Sequence, residues 1–247
     1  PHHIEVQIMA DKNGNVVHLY ERECSIQRRN QKVIEESPSP FVKEETRKKM
    51  LKVAVEACKK IGYYSAGTLE FMMDKDQNFY FLEMNTRLQV EHPVTEECTG
   101  VDLVRDMITV AAGNPLPYKQ DDIQFSGAAI ECRIYAEDPE NNFIPSPGVI
   151  TVREAPEGRN LRLDSAAYAG FEVSLHYDPM IAKLCCWGRT RASAISNMAR
   201  ALREYKILGI KTTIPFHQRV LKNAAFLKGE YDTTFIDTRF DKEDLKR

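Results

Sequence analysis

The feature that most limits the fold is a predicted β-hairpin at residues 67–85. Residues 68–73 form a first strand, residues 74–78 a polar turn, and residues 79–85 a second, buried-looking strand. If the turn is symmetric, residues whose numbers add up to 153 face each other, so Glu70 lies opposite Glu83. The β-carbons of such a pair are about 5 Å apart, and like charges at that distance need neutralisation.

Asn85 follows Glu83 by two residues and therefore projects from the same face of the strand. Two carboxylates and an amide oxygen are hard donors of the kind that suit Mg²⁺ or Mn²⁺. The hairpin therefore predicts a metal site at Glu70, Glu83 and Asn85. The alternative is a solvated polar face on an edge hairpin, which follows if an asymmetric turn breaks the pairing.

The segment directly after the hairpin concentrates polar groups, with Glu83, Arg87, Gln89, Glu91 and His92 in quick succession. A guanidinium offers a planar fork for a small oxyanion, and a nearby glutamate with a suitable pKa can act as a base. This density predicts an anion-handling metal site. His92 precedes a proline, so it either holds the turn or joins the site.

A second polar cluster spans residues 22–32, where five charged residues accompany Gln27, Asn30 and Gln31. No aromatic residue is interleaved to stack on bases, which disfavours a nucleic-acid loop. Phosphate or anion contacts and a plain solvated charge run remain the two interpretations. No glycine-rich phosphate-binding motif occurs in the chain.

The hydrophobic pattern predicts an α+β fold with mostly antiparallel strands in two lobes. The chain opens inside a hairpin, with Ile4, Val6 and Ile8 on one face, which predicts a piece of a longer protein. A looser stretch at 116–126 is the expected domain linker. The predicted helices are 43–61, 101–112 and 191–206, and the strands expected after the linker are 128–135, 149–153, 174–175 and 180–187.

Composition narrows the class of protein. The 247 residues carry a net charge of −2, so there is no overall positive field to capture nucleic acid. The apolar runs are too short to cross a bilayer, and no secretory signal opens the chain. Six scattered cysteines without a C-x-x-C pair favour a reducing compartment. We expect a soluble, cytoplasmic protein, with the mitochondrial matrix as the alternative.

Three long motifs resemble biotin carboxylase, a member of the ATP-grasp family: residues 21–36, 81–96 and 131–139. The resemblance implies that residues 1–125 are the C-terminal part of an ATP-grasp domain. It also implies that residues 126–247 are the biotin carboxylase C-terminal domain. The family reaction converts bicarbonate and ATP to carboxyphosphate, and N1 of biotin captures the released CO₂. It is the first half-reaction of a biotin-dependent acyl-CoA carboxylase, as in fatty acid biosynthesis.

The resemblance also assigns roles to individual residues. The metal ligands, for two Mg²⁺ (or Mn²⁺) ions, are Glu70, Glu83 and Asn85. The residues implied to bind the nucleotide are His3, Gln27, Asn30 and Gln31, together with Glu70 and Glu83. Bicarbonate is held by Arg87, Lys32, Gln89 and the backbone at Val90. Glu91 is implied as the base that deprotonates bicarbonate, and Arg133 as the group that stabilises the biotin enolate.

The same resemblance indicates the partners of the chain and the type of acyl-CoA carboxylase. Biotin is expected on a carrier protein or domain, because no Met-Lys-Met sequence occurs here. Carboxyltransferase subunits and a second copy of the chain are the other implied partners, with no nucleic acid and no membrane. Asn30 replaces a histidine of bacterial acetyl-CoA carboxylase subunits and is similar to the residue in propionyl-CoA and methylcrotonyl-CoA enzymes. We expect that this chain alone does not catalyse the carboxylation of biotin.

Two rival interpretations remain. Another ATP-grasp ligase, such as a carbamoyl phosphate synthetase or a purine-pathway carboxylase, shares the metal-binding glutamates. Such a ligase is not expected to share the run 87–92 together with Arg133. The second rival is a non-catalytic module that dimerises or docks a carrier through apolar surface near Tyr168–Tyr177.

Overall fold

The computed structural model describes residues 1–239 and divides them into two compact units. The first unit comprises residues 1–25 and 35–129, and the second comprises residues 26–34 and the chain from 130 onwards. Both contain strands and helices, and the strand pairings with an assigned register are antiparallel, as the sequence predicts.

The first unit contains the predicted opening hairpin, the hairpin at 67–85 and three α-helices. Its strands are β1 (His2–Ala10), β2 (Val16–Arg28), β3 (Gln31–Ser37), β4 (Ser65–Met73) and β5 (Phe79–Asn85). Its helices are α1 (Glu44–Ile61), α2 (His92–Thr99) and α3 (Leu103–Ala111). The strands are hydrogen-bonded in the order β3-β2-β1-β4-β5. Strands β2 and β3 each have residues in both units.

Strand β1 lies in the middle of this sheet and is buried on both faces. Ile4, Val6 and Ile8 share one face, as predicted, and pack in a hydrophobic cluster with Met50 and Ala54 of α1. Met9 lies in a second cluster with Leu103 and Val110 of α3 and with Leu116 and Ile123. The stretch expected to be a loose linker thus contributes two buried residues to this core. The residues of β1 that alternate with the apolar ones, His3, Glu5 and Gln7, form a polar row.

Two expectations in the first unit are wrong. Strand β5 is the outermost strand, and Tyr80, Phe81 and Leu82 are exposed, whereas its apolar sequence predicted a buried strand. Residues 92–99 form helix α2, which the sequence analysis missed because Pro93 was interpreted as a turn residue. Proline at the first turn of a helix costs no hydrogen bond, since those N–H groups have no partner within the helix.

The second unit contains the predicted strand at 128–135 and the predicted helix at 191–206, among shorter elements. Its strands are β6 (Ala128–Tyr135), β7 (Glu137–Asp138), β8 (Ile144–Pro145), β9 (Gly148–Val149), β10 (Val152–Glu154), β11 (Leu161–Ser165), β12 (Glu172–Val173), β13 (Met180–Gly188) and β14 (Lys206–Leu208). Its helices are α4 (Arg191–Glu204), α5 (Ile214–Val220), α6 (Ala224–Lys228) and α7 (Phe235–Arg239).

In this unit the main strands are hydrogen-bonded in the order β11-β13-β6-β3, and β7–β8, β9–β12 and β10–β14 form small antiparallel pairs. The strand expected at 174–175 is wrong, because β12 ends at Val173 and a turn follows. All six cysteines are buried thiols without disulfides, as expected. No helix within residues 1–239 has the length and hydrophobicity needed to cross a membrane.

Candidate active site

Four residues on neighbouring strands of the first unit form one row across the sheet. Arg22 of β2 pairs with Glu5 of β1, Glu5 pairs with Glu70 of β4, and Glu70 pairs with Glu83 of β5. Directly opposed residues of paired strands project from the same face. The row therefore places three carboxylates and one guanidinium side by side, and the predicted pairing of Glu70 with Glu83 is confirmed.

The pairing of Glu70 with Glu83 depends on a β-bulge at Leu82. Near the turn, Phe71 pairs with Phe81 and Met73 with Phe79, a register in which Leu82 would lie opposite Glu70. The register shifts by one residue between Phe71 and Glu70, so Glu83 takes that place instead. A bulge inserts one residue in one strand and re-aims the side chains beyond it. The turn therefore gives a register one residue away from the one that the prediction assumed. The bulge restores the predicted register from Glu70 onwards.

The predicted metal ligands lie within hydrogen-bonding distance of one another. Asn85 Nδ2 is 2.8 Å from Glu70 Oε1 and 3.3 Å from Glu83 Oε1. His3 Nε2 lies 2.9 Å from Glu70 Oε2 and 3.1 Å from Glu5 Oε1. This set of oxygen donors fits a hard divalent cation. To serve as a ligand, Asn85 must present Oδ1, which here accepts a hydrogen bond from Arg87 Nη2 at 3.0 Å.

Residues 86–91 form the loop between β5 and α2, and it carries the predicted anion-binding groups. Arg87 is exposed, Val90 is half-buried, and Gln89 and Glu91 are buried. Gln89 Nε2 donates to Glu70 Oε1 at 2.7 Å, which ties this loop to the carboxylate row. His92 Nδ1 donates to the Gln89 carbonyl at 2.8 Å, so this histidine holds the turn.

Glu91 lies directly before helix α2, near two other ionisable groups of the first unit. A carboxylate oxygen of Glu91, a carboxylate oxygen of Glu5 and the Cys24 sulfur lie within 4.8 Å of one another. The positive end of the helix dipole favours a carboxylate at such a position. Its burial and its place at the end of the predicted anion-binding loop are suitable for a base that takes a proton from a bound anion.

Arg22 is the residue that sequence reasoning missed. It is fully buried at the β2 end of the row, and its pKa is the result of opposing effects. Burial lowers the pKa of the guanidinium, but the charges of Glu5, Glu91 and Cys24 and the hydrogen bonds with Glu5 raise it above its ordinary value. The signal that could have revealed Arg22 is the alternation in β1. Ile4, Val6 and Ile8 share one face, so the ionisable Glu5 lies on the opposite face. A carboxylate at that place on a central strand indicates a buried cation beside it.

The second unit holds the remaining predicted site residues, four of them on one hairpin. Strand β2 ends at Arg28 and β3 begins at Gln31, so the cluster at 22–32 is a hairpin end and not a loop. Arg29 and Asn30 form its two-residue turn with φ of 51° and 64°. Asparagine tolerates this left-handed conformation, which accounts for its suitability here. Gln27, Gln31 and Lys32 are half-buried beside the turn.

The hairpin end is anchored by Arg28. Its Nη2 is 2.5 Å from Glu137 Oε2, and its guanidinium lies 4.5 Å from the centre of the Phe143 ring. Burial raises the pKa of Glu137, although the charge of Arg28 opposes the increase. The Tyr135 hydroxyl lies 3.4 Å from the Lys32 carbonyl oxygen and donates to it. These contacts fix the backbone from which Asn30, Gln31 and Lys32 project.

Arg133 lies on β6 and is buried, and its carbonyl oxygen has two side-chain donors. His217 Nε2 donates to it at 2.7 Å and Thr213 Oγ1 at 3.2 Å. Thr213 directly precedes helix α5 and His217 lies within it, so this helix fixes the backbone at Arg133. A lone arginine on a strand is ordinarily a surface ion-pair partner, and only the resemblance singled it out.

Comparison with known proteins favours biotin carboxylase over other ATP-grasp ligases. The family described as carbamoyl-phosphate synthase L chain, ATP binding domain, matches residues 1–119, and the family described as biotin carboxylase C-terminal domain matches residues 131–238. Biotin carboxylase 1 of Bacillus subtilis is 54% identical over 237 residues, which cover 96% of this chain and 53% of the relative. The chain belongs to the biotin carboxylase family.

Other members of the biotin carboxylase family are equally similar. A pyruvate carboxylase subunit from Methanothermobacter thermautotrophicus is 55% identical over 96% of this chain and 48% of its own length. A solved structure is the biotin carboxylase domain dimer of Hydrogenobacter thermophilus 2-oxoglutarate carboxylase in complex with MgADP, ADP and bicarbonate. It has a TM-score of 0.94 and 49% identity, and the match covers 96% of this chain and 52% of that one. The chain thus spans about half the length of these relatives.

His217, which donates to the Arg133 carbonyl oxygen, makes the stability of this chain dependent on pH. Burial lowers its pKa from 6.5 to about 4, and Nδ1 has no hydrogen-bond partner among residues 1–239. The unfolded chain binds the proton near pH 6.5 but the folded chain only near pH 4. The contribution of neutral His217 to stability is therefore complete above pH 6.5 and is lost as the pH falls towards 4.

We expect the variant His217→Gln to be less sensitive to acid. Glutamine keeps a donor at the position of Nε2 but does not titrate, so the variant avoids a loss of up to about 3 kcal/mol between pH 6.5 and 4. Urea unfolding at pH 7.5 and pH 5 measures the difference. His18, whose pKa burial also lowers to about 4, is present in both proteins and cancels. Equal acid sensitivity of the two proteins would contradict this prediction.

Proposed function

We propose that this chain is the C-terminal half of a biotin carboxylase, which carboxylates biotin on a carrier with ATP and bicarbonate. The observation that carries the proposal is the row Arg22–Glu5–Glu70–Glu83, with Asn85 and the anion-binding loop beside it. Relatives named biotin carboxylase support it, as does the similarity to a domain solved with MgADP and bicarbonate. Residues 1–125 are proposed as the ATP-grasp part and residues 126–247 as the biotin carboxylase C-terminal domain.

The carboxylates of Glu70 and Glu83, with Asn85 Oδ1, are the proposed ligands of Mg²⁺ or Mn²⁺. When bound, the metal neutralises the charge that develops on the phosphates during phosphoryl transfer. Rotation of the Asn85 amide towards the metal removes the acceptor of Arg87 Nη2, which releases the guanidinium for an anion. The proposed nucleotide contacts are His3, Gln27, Asn30 and Gln31.

Bicarbonate is the proposed anion of the loop at residues 86–91. The guanidinium of Arg87, the amide of Gln89 and the Val90 backbone offer donors to its oxygens, with Lys32 as the second cation. Glu91 is proposed to take the bicarbonate proton, which leaves a nucleophilic oxygen to attack the γ-phosphorus of ATP. The bond from the γ-phosphorus to the β,γ-bridging oxygen breaks, ADP leaves, and carboxyphosphate is formed. Carboxyphosphate then breaks down to CO₂ and inorganic phosphate, the phosphate takes the N1 proton of biotin, and N1 forms a bond to CO₂.

Arg133 is proposed to stabilise the negative oxygen of the biotin enolate, by fixed positive charge at the point where charge develops. The biotin is expected on a carrier protein or domain, and carboxyltransferase subunits and a second copy of the chain are the other proposed partners. The cytoplasm remains the proposed location, with the mitochondrial matrix as the alternative.

The test is a titration of this chain with Mn²⁺, with and without ADP, followed by electron paramagnetic resonance. We expect the variant Glu83→Gln to weaken Mn²⁺ binding by at least about tenfold, because an amide oxygen replaces a charged ligand. Glu56→Gln, on the exposed face of α1, is the matched control and is expected to bind as the wild type does. Equal binding by wild type and Glu83→Gln would contradict a metal site at this hairpin.

A second candidate function is favoured by one observation in the second unit. Tyr168, Leu175 and Tyr177 are exposed, as the interaction-module interpretation requires. Apolar side chains mark a protein interaction site when they form a large contiguous patch. Binding of a biotin carrier that neither Mn²⁺ nor ADP alters would favour this docking role.

A further inference from the structure

The inference concerns Arg22, the cation of the carboxylate row, and it rests on the proposed function. We propose that Arg22 is a positioning residue for bicarbonate: it orients the side-chain amide of Gln89 and thereby fixes the anion-binding loop. Arg22 does not itself contact the anion in this proposal, because its donors are taken up by protein groups.

The guanidinium of Arg22 donates to five side chains. Nε and Nη2 lie 3.3 and 3.1 Å from Glu5 Oε2, and Nη1 lies 2.6 Å from Gln7 Oε1. The remaining acceptors are Thr95 Oγ1 at 3.1 Å, Thr68 Oγ1 at 3.2 Å and Gln89 Oε1 at 2.8 Å. A guanidinium has five N–H groups in a fixed plane, so these contacts use its whole donor set.

Arg22 and Glu70 hold the Gln89 amide from its two ends. A guanidinium only donates hydrogen bonds, so the Gln89 atom that faces Arg22 must be the carbonyl oxygen. The amide nitrogen is then directed at Glu70 Oε1, at 2.7 Å. Without the arginine, the Glu70 carboxylate alone orients the amide, and the Gln89 carbonyl oxygen loses the charged donor that holds it in place.

Gln89 is held at its backbone as well. Its carbonyl oxygen accepts from His92 Nδ1 at 2.8 Å and from the His92 backbone N–H at 3.4 Å. With the side chain fixed by Arg22 and the backbone fixed at the start of α2, the loop has little freedom at this residue. Arg22 also donates to Thr95 on α2, so one side chain joins the loop, the helix that follows it and the carboxylate row.

Lysine cannot replace Arg22 in this role. An ammonium group keeps the ion pair with Glu5 but lacks the planar fork that reaches Gln7, Thr68 and Gln89 together. The variant Arg22→Lys therefore preserves the buried charge pair and removes the hydrogen bond that holds the carbonyl end of the Gln89 amide. The matched control is Arg47→Lys, because Arg47 has several hydrogen bonds in the same unit, to Glu21 and Glu44 among others, but none to the loop.

The first readout is the side-chain amide signal of Gln89 in ¹⁵N-labelled chain, identified as the signal absent from Gln89→Ala. We expect this signal to shift in Arg22→Lys and to stay in place in Arg47→Lys. A Gln89 signal that is unchanged in Arg22→Lys would overturn the inference, because the amide would then keep its orientation without the guanidinium.

The second readout is bicarbonate-dependent ATP cleavage by the full-length protein, meaning this chain with the N-terminal half that the proposal requires. We expect Arg22→Lys to raise the half-saturating bicarbonate concentration about tenfold, as loss of one hydrogen bond to a charged group does. In a Gln89→Ala background the same substitution should add nothing, because Arg22 acts through Gln89.

The outcomes separate the inference from the proposed function. If Arg22→Lys raises the bicarbonate requirement by its full factor in the Gln89→Ala background, Arg22 acts through another group and the inference is overturned. If the wild-type full-length protein shows no bicarbonate-dependent ATP cleavage, the proposed function fails. The amide signal then still decides whether Arg22 orients Gln89.

Discussion

Replacement of Glu91 by glutamine is expected to lower the rate of bicarbonate-dependent ATP cleavage by the full-length protein about 10²–10⁴-fold. Glutamine has the size of glutamate but cannot accept a proton, so the substitution removes the proposed base with little change in packing. Glu91 is 2% exposed, which leaves little room for water to take over proton transfer.

Two readouts distinguish a lost base from a disturbed site. Mn²⁺ binding should be unchanged in Glu91→Gln, because the proposed ligands are Glu70, Glu83 and Asn85. Glu97→Gln, a substitution of the same kind in the helix that follows, is the matched control and should retain the wild-type rate. A rate within about threefold of wild type in Glu91→Gln would show that another group takes the proton.

The pairing in the hairpin that carries the proposed metal ligands could be predicted from sequence because its evidence is local. Period-two alternation places Asn85 on the face of Glu83, and a short polar turn joins the two strands. The bulge at Leu82 could not be predicted, since nothing in the run of apolar residues marks which one is unpaired. The predicted pairing of Glu70 with Glu83 was right because a tighter turn and a one-residue bulge offset each other.

Burial was harder to predict, because it depends on which elements cover a strand. The apolar run Tyr80-Phe81-Leu82 suggested a buried strand, yet β5 is the outermost strand of its sheet. Arg22 was treated as part of a charged cluster, yet it is fully buried because β2 lies inside the same sheet. The order of strands in a sheet follows from contacts distant in sequence, which periodicity does not report.

The largest stability effect is expected from Arg22→Met. Arg22 and Glu5 are both fully buried, and the substitution removes the charge that compensates the Glu5 carboxylate. Breaking a buried ion pair by removing one partner costs about 3–5 kcal/mol, because the other charge stays in a poorly solvating environment. The loss should appear as a lower midpoint in urea unfolding of this chain at pH 7, with Arg22→Lys losing less.

Two further variants test whether the cost comes from the uncompensated carboxylate. Arg105→Met removes an exposed arginine that lies near Asp102, and its effect is expected within about 0.5 kcal/mol. The double variant Arg22→Met/Glu5→Leu removes both buried charges and should regain part of the stability that Arg22→Met loses. If the double variant is less stable than Arg22→Met by the full cost of Glu5→Leu alone, the two residues are not coupled. The hydrogen bonds to the two glutamines and two threonines would then account for the role of Arg22 in the fold.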